Sequence, residues 1–197
     1  MWLSSALVPP DDVTLAFHDS AEAADLLDEL CDAYADAYGA VPGEDTGQKS
    51  DAFRDRATKA LQVPSYSLVT ARAGDQLVGF VFGYSLRPGR SWWDGLQPEP
   101  AEGFTDETGS RTVVLAEIEV RRAWQGHGLG RQLHDAFLAG RREERATLAT
   151  NPRASGTQAL YERWGWRKVG TIPGRPGAYY SEYLLYVRPL PLSSAGR

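Results

Sequence analysis

Residues 113–140 read VVLAEIEVRRAWQGHGLGRQLHDAFLAG. An apolar strand pattern runs into glycines at 126, 128 and 130, and a helical pattern starts at once. This order constrains the chain more than any other stretch. Successive backbone N–H groups of such a loop converge at a helix N-terminus, where the peptide dipoles favour an anion. A tight strand–helix turn alone needs one or two glycines. Alternate glycines suit a backbone that a phosphate must approach closely.

The elements around it follow from periodicity and punctuation. Residues 13–17 alternate apolar and polar, which predicts a first strand. Asp19 is placed as an N-cap, with Glu22 closing a capping box. A helix over 21–38 carries Leu27, Leu30, Cys31, Tyr34 and Tyr38 on one face. Its other face holds Asp25, Asp28, Glu29, Asp32 and Asp36, and reads as solvated. Gly39 ends it. Residues 40–49 form a loop, and Ser50 caps a shorter helix to Leu61. Residues 66–72 and 77–86 are strands joined by the turn at 73–76, an antiparallel hairpin. Gly79 and Gly83 in the second of these predict a bulge or a close approach by other backbone.

Residues 87–111 are rich in Pro, Gly and acid and contain Trp92 and Trp93. The stretch is longer than an ordinary unstructured loop, which points to a lid or binding loop. The helix from 128 to 141 has a buried stripe of Leu129, Leu133, Phe137 and Gly140, with His134 at the surface. Residues 145–150 are a strand parallel to the one before the glycine loop, as a strand–helix–strand crossover requires. A helix over 154–164 ends at Gly165. Strands over 166–172 and 179–187 follow, then a frayed tail at 189–197. The expectation is one mixed α/β domain over 1–197, with its core at about 13–188 and the order β-α-α-β-β-β-α-β-α-β-β.

Three ligand readings compete for the loop. A dinucleotide site wants G-x-G-x-x-G and an acid about 20 residues on; here the spacing is G-x-G-x-G and the next strand ends at Thr150-Asn151. A P-loop wants Gly-Lys-Ser/Thr, but Gly130 precedes Arg131 and Gln132. The third reading is the pattern R/Q-x-x-G-x-G/A, matched by Gln125-Gly126-His127-Gly128-Leu129-Gly130. Arg121, Arg122 and Arg131 add charge for phosphates.

On these residues the segment from 113 to 172 resembles the GNAT superfamily of acyl-CoA-dependent acyltransferases. The stretch Ala159-Leu160-Tyr161-Glu162-Arg163-Trp164-Gly165-Trp166 is similar to a second motif of that family, with Trp166 in place of Phe. Where the family often carries an Asn, seven residues before the tyrosine, this chain has Ala154, with Ser155 and Asn151 nearby. The resemblance implies a mixed, mostly antiparallel central sheet flanked by helices. It implies an N-acetyltransferase that moves the acetyl group of acetyl-CoA to a primary amine by direct attack in a ternary complex, often as paired subunits. It places the pantetheine arm along Ile118, Glu119 and Val120 and the pyrophosphate on the amides of Gln125–Arg131, with Ser155 or Asn151 standing in for the family's Asn as a further cofactor contact. The alternative is a non-catalytic acyl-CoA-binding module.

An amine attacks only when neutral, so a base is needed. Val114, Ala116, Ile118 and Val120 alternate as one face of the strand, which puts Glu117 and Glu119 together on the other. Either the two acids are solvated, or they share a half-buried face and raise one another's proton affinity. Glu117 is the first choice of base by resemblance, and Glu119 the second. Tyr161 matches the family's general acid. Cys31 sits on a packing stripe, not where a nucleophile is expected. For the acceptor, Trp92, Trp93 and Asp94, with the loop acids Glu44, Asp45, Glu99, Glu102, Asp106 and Glu107, predict a cleft for a cationic amine.

Composition excludes other classes. The net charge of −5 argues against nucleic acid. No apolar run reaches the ~20 residues of a membrane span. The N-terminus lacks the charged and apolar regions of a signal peptide. The single cysteine and scattered histidines give no metal-ligand spacing. The expectation is a cytoplasmic enzyme without a metal.

Overall fold

The computed structural model describes residues 12–39, 46–175, 178 and 180–191, without the side chains of residues 46 and 48. Of the loop expected at 40–49, residues 40–45 with Glu44 and Asp45 lie outside the described residues, as do 192–197 of the tail expected at 189–197. That tail starts later than expected, because Pro189 ends a strand and Leu190 is buried with its amide on the Glu144 carbonyl. The strands are β1 (Val13–His18), β2 (Ser67–Ala73), β3 (Gln76–Ser85), β4 (Thr112–Val120), β5 (Arg145–Thr150), β6 (Arg167–Pro173) and β7 (Glu182–Pro189). They make one seven-stranded sheet in the order β1-β2-β3-β4-β5-β7-β6. Pairing is antiparallel at β1–β2, β2–β3, β5–β7 and β6–β7, and parallel at β4–β5. This is the mixed, mostly antiparallel sheet expected.

The helices are α1 (Ser20–Asp25), α2 (Leu27–Tyr38), α3 (Thr46–Leu61), α4 (Leu129–Ala139) and α5 (Ser155–Arg163). The capping box forms as read: Asp19 accepts from the Ala21 and Glu22 amides, and Glu22 accepts from the Asp19 amide. The single helix expected over 21–38 is instead two, because the chain tightens at Leu26, whose amide bonds to the Ala23 carbonyl. The second helix begins at Thr46, four residues before Ser50. No described helix is long and apolar enough to cross a membrane.

The chain divides into two compact units. The first comprises 1–83 and 117–139. Its core is aromatic: Tyr34 stacks on Phe53 at 4.2 Å between centroids, and Phe53 meets Phe80 at 5.8 Å. Leu133 and His134 are both fully buried, so His134 is interior and not at the surface as expected. Its Nδ1 lies 2.8 Å from Asp135, which gives the buried ring a polar partner at the helix edge. Gly140 lies past the end of α4 and is exposed, so it leaves the predicted stripe.

The acid face of α2 is solvent-exposed yet occupied. Asp28 pairs with Arg54, Glu29 with Arg72 and Asp32 with Arg121, and Asp36 accepts from the Arg122 amide. The face thus holds α3, β2 and the end of β4. The close approach expected at Gly79 is present: a Cβ there would stand 3.0 Å from the Glu119 carbonyl oxygen.

The second unit comprises 84–116 and 140–197. Leu86, Trp93, Leu96, Val114, Leu185 and Val187 form its core. The long segment 87–111 contributes Trp93 and Leu96 to that core and adds a bridge, Gln97 to Thr171, on β6. It is an ordered, packed segment.

Candidate active site

Within the first unit, β4 delivers two carboxylates and then the glycine loop. Glu117 and Glu119 share one strand face, roughly 7 Å apart at the backbone. They are not solvated. Arg56 of α3 donates from Nε to Glu117 Oε1 at 2.8 Å, and the Glu117 side chain is only 14% exposed. Glu119 accepts a hydrogen bond from the Tyr38 hydroxyl. Tyr38 packs tilted on Tyr34 at 4.7 Å, and the Lys49 ammonium stands 4.8 Å from the Tyr38 ring centroid.

Burial raises the proton affinity of both acids. For Glu117 the Arg56 guanidinium opposes the rise. For Glu119 burial and the Glu117 charge act together, which places it well above the ordinary carboxylate range against the pull of Tyr38, Arg56 and Lys49. In turn Glu119, then burial, pushes the Tyr38 phenol far up, so it stays a neutral donor. The face therefore holds one carboxylate tied to a permanent cation and one tied to a phenol.

After Val120 a short 3-10 turn over Arg122–Trp124 leads into the glycines. Gly126 and Gly128 have φ of +81° and +83°, the left-handed region that glycine enters without strain. Nothing lies within 4 Å of a Cβ built on either. The loop is thus open where a phosphate would sit, and at the start of α4 the Arg131 and Gln132 amides both bond to the Gly128 carbonyl. These features fit a phosphate group. The Gln125 amide nitrogen donates to the Val120 and Ala37 carbonyls, so this side chain fixes the loop to β4 and α2. His127 is exposed on the loop. Of the expected phosphate cations, Arg121 pairs with Asp32 and Arg131 with Asp135. Arg122 lies across Gly39, where a Cβ would strike its guanidinium.

The β4–β5 ladder covers only Thr112–Val114 against Arg145–Thr147 among the described residues. Ile118, Glu119 and Val120 lie beyond it.

In the second unit, Tyr161 is 8% exposed, and its ring meets Trp164 at 6.0 Å and Trp166 at 6.1 Å edge-on. Ser155 begins α5 and is exposed, while Asn151 caps the turn before it by accepting from the Arg153 amide. Trp93 is 5% exposed and donates its indole N–H to Glu107, which leaves little ring surface for a ligand. Trp92 is part-buried and donates to the Thr147 hydroxyl, and Asp94 is exposed. Among the described residues no three His, Cys, Asp or Glu side chains group as a metal site.

Tyr38, Arg56 and Lys49 join the site without a motif in the sequence to mark them. Tyr38 was legible as the end of the α2 stripe. Arg56 and Lys49 look like ordinary surface charges of a helix, and only the packing of α3 on β4 reveals them.

The open glycine loop thus follows directly on the strand that carries the buried carboxylate pair. The chain belongs to the Acetyltransferase (GNAT) family, whose pattern matches residues 25–166. A comparison with curated proteins gives no match. Solved structures share the fold. The ribosomal-protein-S18-alanine N-acetyltransferase from Escherichia coli is 15% identical, with 94% of this chain and 97% of that one covered and a TM-score of 0.59. An aminoglycoside 6'-acetyltransferase type Ii is 17% identical, with 89% and 96% covered and a TM-score of 0.59. A putative acetyltransferase from Salmonella typhimurium, solved with its cofactor acetyl-CoA, is 17% identical, with 94% and 98% covered and a TM-score of 0.55.

Proposed function

We propose that the protein is an N-acetyltransferase that passes the acetyl group of acetyl-CoA to a primary amine by direct attack in a ternary complex. The observation that carries this reading is the continuity of β4: one strand supplies the buried Glu117–Glu119 pair and then opens into the Gly126–Gly128 phosphate loop. The acetyl-CoA named with the Salmonella typhimurium structure supports the choice of ligand.

When bound, acetyl-CoA supplies an activated carbonyl and a thiol leaving group. The amides of Gly126, His127, Gly128, Leu129 and Gly130 take its pyrophosphate at the start of α4, beside those of Gln125 and Arg131, which bond to the Arg122 and Gly128 carbonyls. Ile118, Glu119 and Val120 offer backbone groups to the pantetheine arm past the end of the β5 ladder. A carboxylate of the Glu117–Glu119 pair takes the ammonium proton. Tyr161 is assigned as acid to the leaving thiolate, and Ser155 as a cofactor contact, by their places in the motif alone. The exposed acids Asp94, Glu99, Glu102 and Asp106, with Trp92, favour a cationic acceptor.

The test is a thermal-shift scan with acetyl-CoA, NAD and ATP, followed by a thiol-release assay with polyamines and aminoglycosides. Acetyl-CoA at about 100 times its Kd stabilises by roughly 2.7 kcal/mol, and the other two leave Tm unchanged. No shift with millimolar acetyl-CoA overturns the reading. A shift with no thiol release from any amine identifies a non-catalytic module.

A further inference from the structure

The two carboxylates of β4 have different partners, and the difference assigns them different work. We propose that Glu119 is the proton acceptor of this centre, and that Arg56 is the positioning residue that gives it this role by engaging Glu117. The inference rests on the acetyltransferase reading and deepens it.

Three elements face the pair. From α3, Arg56 donates to Glu117 at 2.8 Å, with its guanidinium 5.9 Å from the Tyr34 ring centroid and 6.0 Å from that of Phe53. A guanidinium keeps its charge at any pH of interest, so Glu117 is bound as a carboxylate with one oxygen committed. A base in that state surrenders an ion pair when it takes a proton. From α2, Tyr38 gives Glu119 a neutral hydrogen bond, which a protonated carboxyl tolerates by turning its own O–H away. Lys49, also on α3 and 7% exposed, stands over the Tyr38 ring, and its charge draws the Glu119 proton affinity down. On β4 the ionised Glu117 disfavours a second negative charge two residues on. Arg56 thus keeps Glu117 charged, and that charge together with burial favours a proton on Glu119 against the direct pull of Arg56.

The step balances simply. One N–H bond of the acceptor ammonium breaks and an O–H bond forms on Glu119. The freed lone pair forms the nitrogen–carbon bond as the carbon–sulfur bond breaks. The thiolate takes a proton from the acid assigned to it, Tyr161, which is reprotonated by the second proton that nitrogen loses. Glu119 then returns its proton to solvent. Glu117 and Arg56 keep their protonation states throughout.

The test uses Glu117→Gln, Glu119→Gln, Arg56→Gln and Arg56→Lys in the full chain, with two readouts. The first is the pH dependence of thiol release from acetyl-CoA with spermidine and kanamycin as acceptors. Glu119→Gln is expected to lower kcat by about 100-fold or more and to remove the acid limb of the profile. Glu117→Gln is expected to stay within about 10-fold at its optimum and to move that limb to lower pH, because a negative neighbour is gone. Arg56→Gln moves the limb to higher pH, and Arg56→Lys moves it part of the way back. The second readout is a carboxyl NMR titration of the protein without ligands. Glu119 is expected to titrate above Glu117, and Arg56→Gln to raise it further. Loss of turnover in Glu117→Gln with retention in Glu119→Gln overturns the assignment, as does a Glu117 that titrates above Glu119. If neither amine is acetylated by the parent, the function fails for those acceptors and the titration alone decides the assignment.

Discussion

Glu107 and Arg145 form a buried ion pair, 3.1 Å from Oε1 to Nη2, that fastens the segment 87–111 to β5. The same Oε1 accepts from the Trp93 indole at 3.0 Å and the Thr112 hydroxyl at 2.7 Å. Arg145 also donates to Thr112 and to the Phe104 carbonyl, and its guanidinium lies 5.0 Å from the Trp93 ring centroid. The Glu107 side chain is 4% exposed and that of Arg145 is 10%. Removing one partner strands a charge that burial already disfavours on Arg145. Glu107→Ala should cost about 3–5 kcal/mol in urea denaturation. A loss under 1 kcal/mol would mean that solvent reaches the pair.

Trp93 belongs to that network more than to any binding surface. Its truncation leaves a large void among Leu86, Leu96, Val114, Leu185 and Val187. Trp93→Ala should destabilise by about 3–5 kcal/mol. Trp92→Ala, at a part-buried position with one indole bond, should cost less. Calorimetric titration of both variants with spermidine separates stability from recognition: a cationic cleft at Trp92 predicts weaker binding in that variant at a Tm close to the parent's.

The glycine loop offers a sharper contrast between folding and binding. At Gly128 an added Cβ meets nothing, so Gly128→Ala is penalised only by its left-handed backbone. That penalty is about 1–2 kcal/mol. The added methyl occupies the open side where the pyrophosphate is proposed to sit, so the acetyl-CoA thermal shift should fall further than the stability does. Equal losses would place the ligand elsewhere. Gly170 is the counter-case. Its Cβ would lie 2.3 Å from the Gln97 carbonyl oxygen, so Gly170→Ala should unfasten the bridge to Thr171 with no effect on the thermal shift.

What could be read from the chain was whatever local periodicity writes down. β4, the glycine loop, α4 and the β5 crossover stand where the pattern placed them, because each is specified by its own alternation or caps. Sites built from distant residues left no such trace. Arg56 is one of several charges on a polar helix, and nothing along the chain says that it faces Glu117 rather than water. His134 looked like surface because a single polar residue beside an apolar stripe usually is, yet Asp135 supplies the partner that lets it be buried. The acids of α2 were correctly placed as exposed, but their arginine partners come from 26 to 89 positions away and only the fold collects them. The segment 87–111 reads as a loop by composition, while its tryptophans are used as core.

The Glu119 site makes a prediction about stability that runs opposite to its effect on catalysis. A carboxyl whose folded pKa is raised binds its proton more tightly in the native state than in the unfolded chain. Between its ordinary value near 4.5 and the raised one, the native protein holds the extra proton, so stability falls as pH rises through that window. Above the window the buried charge is a constant cost; below 4.5 both states are protonated and the cost is absent. Glu119→Gln keeps the shape and a hydrogen-bond acceptor for Tyr38 but cannot ionise. It should therefore be more stable than the parent at pH 8, by on the order of 1 kcal/mol or more, while losing turnover. The advantage should shrink steadily toward pH 4 and vanish there. Urea denaturation of both proteins from pH 4 to pH 8 measures it directly. A parent that is equally or more stable at pH 8 would mean that Glu119 is ionised without penalty, and its claim to be the proton acceptor would lose its physical basis.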